Sequence, residues 1–377
     1  MDMLKMMEDF KGFRSVAGAR RDDPVYRAKL KEVIDLISNK NGLRRHEREF
    51  LMYESLSTDD FPLLFGDVLD RQVLAAYREA PMVMPQIARK ALLRDMRQVR
   101  RFEITDGDQR LTTVEELGEY PYSDRDEANY TYTPEKYGRK FKISWETILN
   151  DDLNALKDIP NRMGIAARRA EEFFLTSQFF DANGPLDSYF AGNGGQAAVD
   201  SLPLTIENLE TAIEEMDNYS DGNSEPIDNT AKFLMIPPSL RFTAESILKA
   251  TNKMYVISGD TDVAAVAYPT ANVVAGFDMV ILINRYMPRI ITSGTVGNTA
   301  WALFADPNII PACEFGKLQG RENPEIFMKT SNQQRVGGGD AQPMEGDWDS
   351  DAIEYKVRHV FGGTVLNGRA GWASDGQ

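Results

Sequence analysis

The chain has 377 residues, 42% hydrophobic and 27% charged, with a formal net charge of −15, one cysteine and two histidines. That length allows two or three domains with buried cores, Cys313 alone excludes an intramolecular disulfide and points to a reducing compartment, and the acidic balance excludes general attraction to nucleic acid. Met1-Asp2-Met3-Leu4-Lys5 lacks the apolar core of a secretory signal, and the longest apolar run, Ala271–Ile283, holds Asp278 and is too short to span a bilayer.

Residues 1–60 are charged and helical in pattern. Leu30, Val33, Ile34 and Ile37 recur at helical spacing, Asn41-Gly42 is a stop signal, and Leu43–Leu56 mixes Arg44, Arg45 and Arg48 with acids. This region reads as a peripheral arm or a small helical domain. Phe65–Ala80 is a clearer amphipathic helix, striped by Phe65, Val68, Leu69, Val73, Ala76 and Tyr77 and closed by Pro81. In Gln86–Arg101 the cations Arg89, Lys90, Arg94, Arg97, Arg100 and Arg101 face a single acid, Asp95. On a helix, Lys90, Arg94, Arg97 and Arg101 would share one face.

An acidic block follows directly. Glu103–Glu127 holds Glu103, Asp106, Asp108, Glu115, Glu116, Glu119, Asp124, Asp126 and Glu127 against Arg110 and Arg125. Turn signals at Asp106-Gly107, Gly118 and Pro121 lead into an alternating run through Tyr130, Tyr132, Phe141, Ile143 and Trp145, with Lys140, Lys142 and Ser144 as polar partners. Two antiparallel strands joined by a long excursion fit this pattern. Such a hairpin has too little core to stand alone in water.

The best helix begins with Pro160 in its first turn. Met163, Ala166, Ala167, Ala170, Phe173, Phe174 and Ser177 recur at spacings of three and four, and Asn183-Gly184 is a left-handed stop. Roughly 20 residues give a rod of about 30 Å. Gly192-Asn193-Gly194-Gly195 lacks the strand-before, helix-after context of a dinucleotide loop and reads as a linker. From Thr205 to about Lys329 the pattern is mixed α/β. A helix carries Ile206, Leu209, Ile213 and Met216, and a strand spans Lys232–Ile236 up to Pro237-Pro238. A second helix runs through Leu240, Ala244, Ile247 and Leu248, and Val273–Ile283 forms a strand pair or one long strand. Short strands follow at Trp301–Ala305, Ile309–Phe315, Glu325–Lys329 and Ala352–Phe361. In the last of these, Ile353, Tyr355, Val357, His359 and Phe361 share one face, with Glu354, Lys356 and Arg358 on the other.

Chemistry is sparse. There is no GxSxG elbow, no P-loop and no Cys-x-x-Cys pair, so neither an enzyme nor a cofactor is expected. His46 sits among surface charges, His359 reads as a packed, hydrogen-bonded imidazole, and Cys313 beside Ile309, Ile310 and Phe315 as a small core residue. Asp151-Asp152 suits helix capping. Asp347, Asp349 and Asp351 are spaced like the start of a calcium loop, but Ala352 and Arg358 stand where Gly and Glu are needed, leaving an acid-rich turn or a metal site. The basic run has three readings: DNA contact, a solvated face, or pairing with the acidic loop of a neighbouring copy.

Four stretches, in order, resemble the major capsid proteins of tailed bacteriophages, the HK97-type fold shared with encapsulins, with the Mu-like major head subunit family nearest in look. They are Glu119-Tyr120 with Tyr137–Trp145; Asn150-Asp151-Asp152-Leu153 leading to Ile165–Glu171; Leu234-Met235-Ile236-Pro237-Pro238-Ser239-Leu240; and Trp301–Ile326 with Val357–Gly362. The resemblance covers residue 60 to the C-terminus and implies an α+β fold. It implies an N-terminal arm or small helical segment (1–60), a helical lead-in (61–102) and an extended β-hairpin loop (103–145). A peripheral domain with a spine helix (146–204), an α/β axial domain (205–330) and returning C-terminal strands (331–377) complete the order. It further implies self-assembly into hexamers and pentamers of an icosahedral phage head, made in the host cytoplasm and enclosing double-stranded DNA as weakly contacted cargo. Scaffolding, portal and decoration proteins are the implied partners, with no membrane. A compartment holding cargo enzyme is the alternative. The Lys, Asn and Glu that cross-link some relatives have no match here. On this reading Arg89, Lys90, Arg94, Arg97 and Arg101 of one copy meet Glu115, Glu116, Glu119, Asp124 and Asp126 of another.

Overall fold

The computed structural model describes residues 61–105, 113–114, 116, 120, 126–144, 153–191, 195–220, 225–257, 266–329, 331 and 347–377. The expectations for the arm at 1–60, including His46, and for Asp151-Asp152 lie outside them. The fold is α+β, as its sequence implied, and the chain divides into two units: residues 1–81, 136–170 and 320–360, and residues 82–135, 171–319 and 361–377. Among the described residues no helix is long and apolar enough to cross a membrane.

The first unit packs helices against a small sheet. Helix α1 (Phe61–Glu79) buries Val73 and Tyr77, from the end of the stripe read from its sequence, and also Leu74. Its partner is the long helix α2 (Leu153–Ser177). Gly164 is the contact point: a Cβ there would stand 2.3 Å from the Val73 carbonyl oxygen and 2.9 Å from the Tyr77 nitrogen. Arg168 lies over the Tyr77 ring, its Cζ 4.1 Å from the centroid, and its Nε donates to the Tyr77 carbonyl at 2.8 Å. The strands are β4 (Glu135–Ser144), β11 (Glu325–Met328) and the first nine residues of β12 (Ala352–Val365); β12 pairs with both others. The alternating face of β12 points inward as expected, with Ile353, Tyr355, Val357 and His359 buried. His359 meets the Tyr77 ring edge-on at 5.7 Å.

The second unit holds the larger core. Strands β13 (Gly371–Ser374), β9 (Trp301–Ala305), β5 (Ala231–Ile236) and β8 (Val280–Ile283) form a sheet in that order, antiparallel except for the parallel β5–β8 pair. Helices α3 (Ile206–Asp217) and α4 (Arg241–Lys249) contribute Leu209, Ile213, Met216, Ala244 and Ile247 to the same cluster as Leu234, Leu303 and Trp372. Thr205 caps α3 by accepting from the Asn208 nitrogen. The Trp301 and Trp372 rings stand 4.8 Å apart, and each indole N–H has an acceptor, the Leu202 carbonyl and Glu215 respectively. Strands β6 (Asn252–Ile257) and β7 (Val266–Ala271) make a separate hairpin, fixed to α3 through Lys253 and Glu210. The last five residues of β12 pair with β10 (Cys313–Leu318), which pairs in parallel with β1 (Ala88–Leu93).

Several expectations need correction. Beyond Gln86, which ends a single 3-10 turn, the stretch to Arg101 is not helical; it forms β1, a turn, and the start of β2 (Val99–Thr105), so the shared helical face does not exist. Helix α2 has 25 residues, about 37 Å, and continues on both sides of Pro160. It ends at Ser177, short of Asn183-Gly184, which instead form a turn whose nitrogens donate to Asp181. Only Val280–Ile283 of Val273–Ile283 is a strand, and Ile309–Ile310 lie in the turn before β10.

Candidate subunit interface

The hairpin expected after residue 103 begins earlier, at Val99. β2 pairs antiparallel with β3 (Asp126–Tyr132), from Val99 opposite Tyr132 to Thr105 opposite Asp126. β4, which the sequence reading grouped with these strands, pairs with β12 instead. Within the described residues the β2–β3 ladder pairs with no other strand. A lone two-stranded ribbon is marginal in water, so its order depends on its root.

The root is a buried carboxylate. Glu314 on β10 is 1% exposed. Arg101 on β2 donates its Nε–H to both carboxylate oxygens, at 2.8 and 3.1 Å, and the Tyr132 hydroxyl on β3 donates to Oε1 at 2.5 Å. A buried charge is tolerable only when paired and hydrogen-bonded, and here each hairpin strand supplies one donor. Burial and then the hydrogen bond to Glu314 push the Tyr132 phenol well up from its ordinary value. The hydrogen bond that Arg101 itself donates to Glu314 raises the guanidinium. Gly316 makes room: a Cβ there would lie 2.6 Å from the Tyr132 oxygen and 2.8 Å from a Leu93 methyl.

Outward from this root the surface is basic and apolar. Arg89 and Lys90 are exposed on β1, the edge strand beside β10, where charge discourages uncontrolled strand pairing. Arg94 and Arg97 are exposed in the turn, Arg97 lying 3.8 Å from Asp95. Among them Leu92 is 62% and Phe102 63% exposed, and Met96 is also exposed. Of the predicted cations, Arg101 has its partner in its own chain. Of the predicted acids, Glu116 is exposed in a turn and Asp126 opens β3, while Glu115, Glu119 and Asp124 lie outside the described residues. Glu314 was missed by the sequence reading; a lone acid between Cys313 and Phe315 in an apolar strand was the available signal.

The rest of the predicted chemistry resolves into structure. Cys313 is fully buried, and burial first, then Glu314, pushes its thiol up. Asp347 pairs with Lys329 at 3.0 Å, and among the described residues no group of three or more His, Cys, Asp or Glu side chains could hold a metal ion.

A family model described as "Phage capsid protein" matches residues 128–374. No curated protein matches the sequence. Among solved structures, a chain of the cyanophage P-SCSP1u capsid aligns with 78% of this chain and 87% of its own, at 11% identity and TM-score 0.45. A chain from Gordonia phage Cozz aligns with 76% and 84%, at 14% identity and TM-score 0.44. A virus-like particle from Pyrococcus furiosus aligns with 82% and 99%, at 11% identity and TM-score 0.44.

Proposed function

Since this chain belongs to the phage capsid protein family, a structural protein of the phage head shell, we propose that it closes into hexamers and pentamers of an icosahedral shell around packaged double-stranded DNA. The proposal extends to its parts. The β2–β3 hairpin and residues 106–125 between its strands form an extended loop that rests on a neighbouring copy. Arg89, Lys90, Arg94 and Arg97 meet acids of that loop in the adjacent subunit. Scaffolding, portal and decoration proteins act on the assembled surface, and the acidic chain leaves DNA weakly held.

The observation that carries the reading is the pairing of a family match over residues 128–374 with a hairpin that is clamped at its root and, among the described residues, pairs with no other strand. Exposed ion pairs contribute only about 0–1 kcal/mol each. Repeated around a closed shell, such small terms multiply as avidity does. Apolar groups such as Leu92 and Phe102 supply the desolvation that surface charges lack. Negative-stain imaging of the purified chain tests the reading: closed shells support it, and a monodisperse monomer at high concentration counts against it. No observation favours the cargo-holding compartment over the head shell.

A further inference from the structure

In the first unit, one strand pair carries opposite charge at its two ends. β4 and β12 run in opposite senses: a Cβ on Gly138 would stand 2.6 Å from the Val357 carbonyl oxygen, and further along β4 Lys142 pairs with Glu354 at 2.7 Å. The turn Asp347–Asp351 feeds β12 and therefore lies beyond the Ser144 end. Lys136, Arg139 and Lys140 lie towards the other end. At about 3.3 Å per strand residue the two groups are roughly 15–25 Å apart, beyond the reach of a Lys or Arg side chain.

The turn is built to present an indole. Trp348 is 71% exposed, with Asp349 and Asp351 exposed beside it. Asp347 is held back by Lys329, and Asp351 takes φ 45°, a backbone region uncommon outside glycine. On the other surface, Lys136, Arg139 and Lys140 are exposed; among the described residues none makes a close ion pair, and Lys140 acts on Glu354 only at a distance, behind Lys142. They line a strand whose only ladder among those residues is with β12.

We infer that the Trp348 turn of one copy docks on the Lys136–Lys140 edge of β4 in a second copy, the indole lying on the Arg139 side chain on one face of the strand and Asp349 meeting Lys140 on the other. A large aromatic beside guanidinium and ammonium groups is the usual composition of an interface hot spot, and the opposite charges of the two surfaces set its register. Repeated head to tail, a contact between these two different surfaces propagates around a ring or shell. The inference rests on the capsid reading and names a pair of surfaces for it.

The test compares the full chain with variants by sedimentation velocity and negative-stain imaging over a concentration series, with circular dichroism as the fold control. Trp348→Ala, Asp349→Lys and the pair Arg139→Glu/Lys140→Glu each raise the concentration for half-assembly by about tenfold or more, with dichroism unchanged. Combining Asp349→Lys with Arg139→Glu/Lys140→Glu recovers assembly. Should Trp348→Ala lose its dichroism, the charge swap decides alone. Unchanged assembly in the separate variants, or a swap no better than its parents, overturns the docking and leaves the capsid reading intact. A native chain that forms no particle at any concentration sinks the capsid reading and this inference together.

Discussion

Tyr132 and Glu314, 182 residues apart in sequence, are joined by a 2.5 Å hydrogen bond that fixes the end of one hairpin strand to a buried carboxylate. Arg101, on the other strand, completes the clamp at 2.8 Å. The two donors make the root of the hairpin a single electrostatic unit, so removing either end leaves buried polarity without its complement.

Arg101→Ala therefore costs more than an ordinary surface arginine. It leaves Glu314 buried with one donor where it had two partners, a loss of about 2–4 kcal/mol once the partial exposure of Arg101 is allowed for. Glu314→Gln keeps an acceptor for Tyr132 and loses less. Urea unfolding of the parent and the two variants checks the order; midpoints of both variants equal to the parent's would show that the ion pair contributes nothing.

Gly316→Ala is destabilising by about 1–3 kcal/mol, because the new methyl meets the Tyr132 oxygen and Leu93. Tyr132→Phe removes one of those obstacles. A double-mutant cycle then gives a coupling of about 1 kcal/mol in the sense that the alanine costs less beside phenylalanine. Strict additivity would refute the crowding.

Gly164→Ala reverses the usual rule. Alanine in a helix interior normally gains up to about 1 kcal/mol over glycine. Here the Cβ would meet the backbone of Val73 and Tyr77, neither of which is a movable side-chain end. The expected result is a net loss of about 2 kcal/mol or more, read from thermal melting. A raised melting temperature would mean that α1 and α2 are not in contact at this point.

Asp200 carries a pH signature. Desolvation and then the Glu215 charge hold its carboxyl above the ordinary aspartate value. The folded state therefore takes up the proton more readily than the unfolded chain. The ionised group is unfavourable above the folded value, and the penalty disappears below the unfolded value near 4. Asp200→Asn is accordingly more stable than the parent at pH 7 and equal to it near pH 3, as melts at the two pH values would show. A variant less stable at pH 7 would contradict this.

Some of this was legible in the sequence because it rests on local period. The inward face of β12 follows from strict alternation, burial of Val73 and Tyr77 on α1 from spacings of three and four, and β5 from an apolar run ended by Pro237-Pro238. Gln86–Arg101 misled for a physical reason. Its Ala, Arg, Lys, Leu and Met are good helix formers, and pairing of Ala88–Leu93 with Cys313–Leu318 overrode that preference. Pro160 looked like a helix start because proline is favoured in the first turn and disfavoured in a helix interior. β13 is four residues opened by a glycine and is defined by its pairing with β9. The clamp was hidden because Glu314 finds its donors 182 and 213 residues away.

The central claim is that the β2–β3 hairpin, tied at Arg101 and Tyr132 and with no other strand partner among the described residues, becomes ordered by lying on another copy. Hydrogen exchange of the Val99–Thr105 and Asp126–Tyr132 amides, compared between assembled particles and dissociated subunits, tests it most directly. The account predicts exchange at least about tenfold slower in particles, with the β5 and β9 amides protected in both states. Equal protection of the hairpin in particles and free subunits would contradict it.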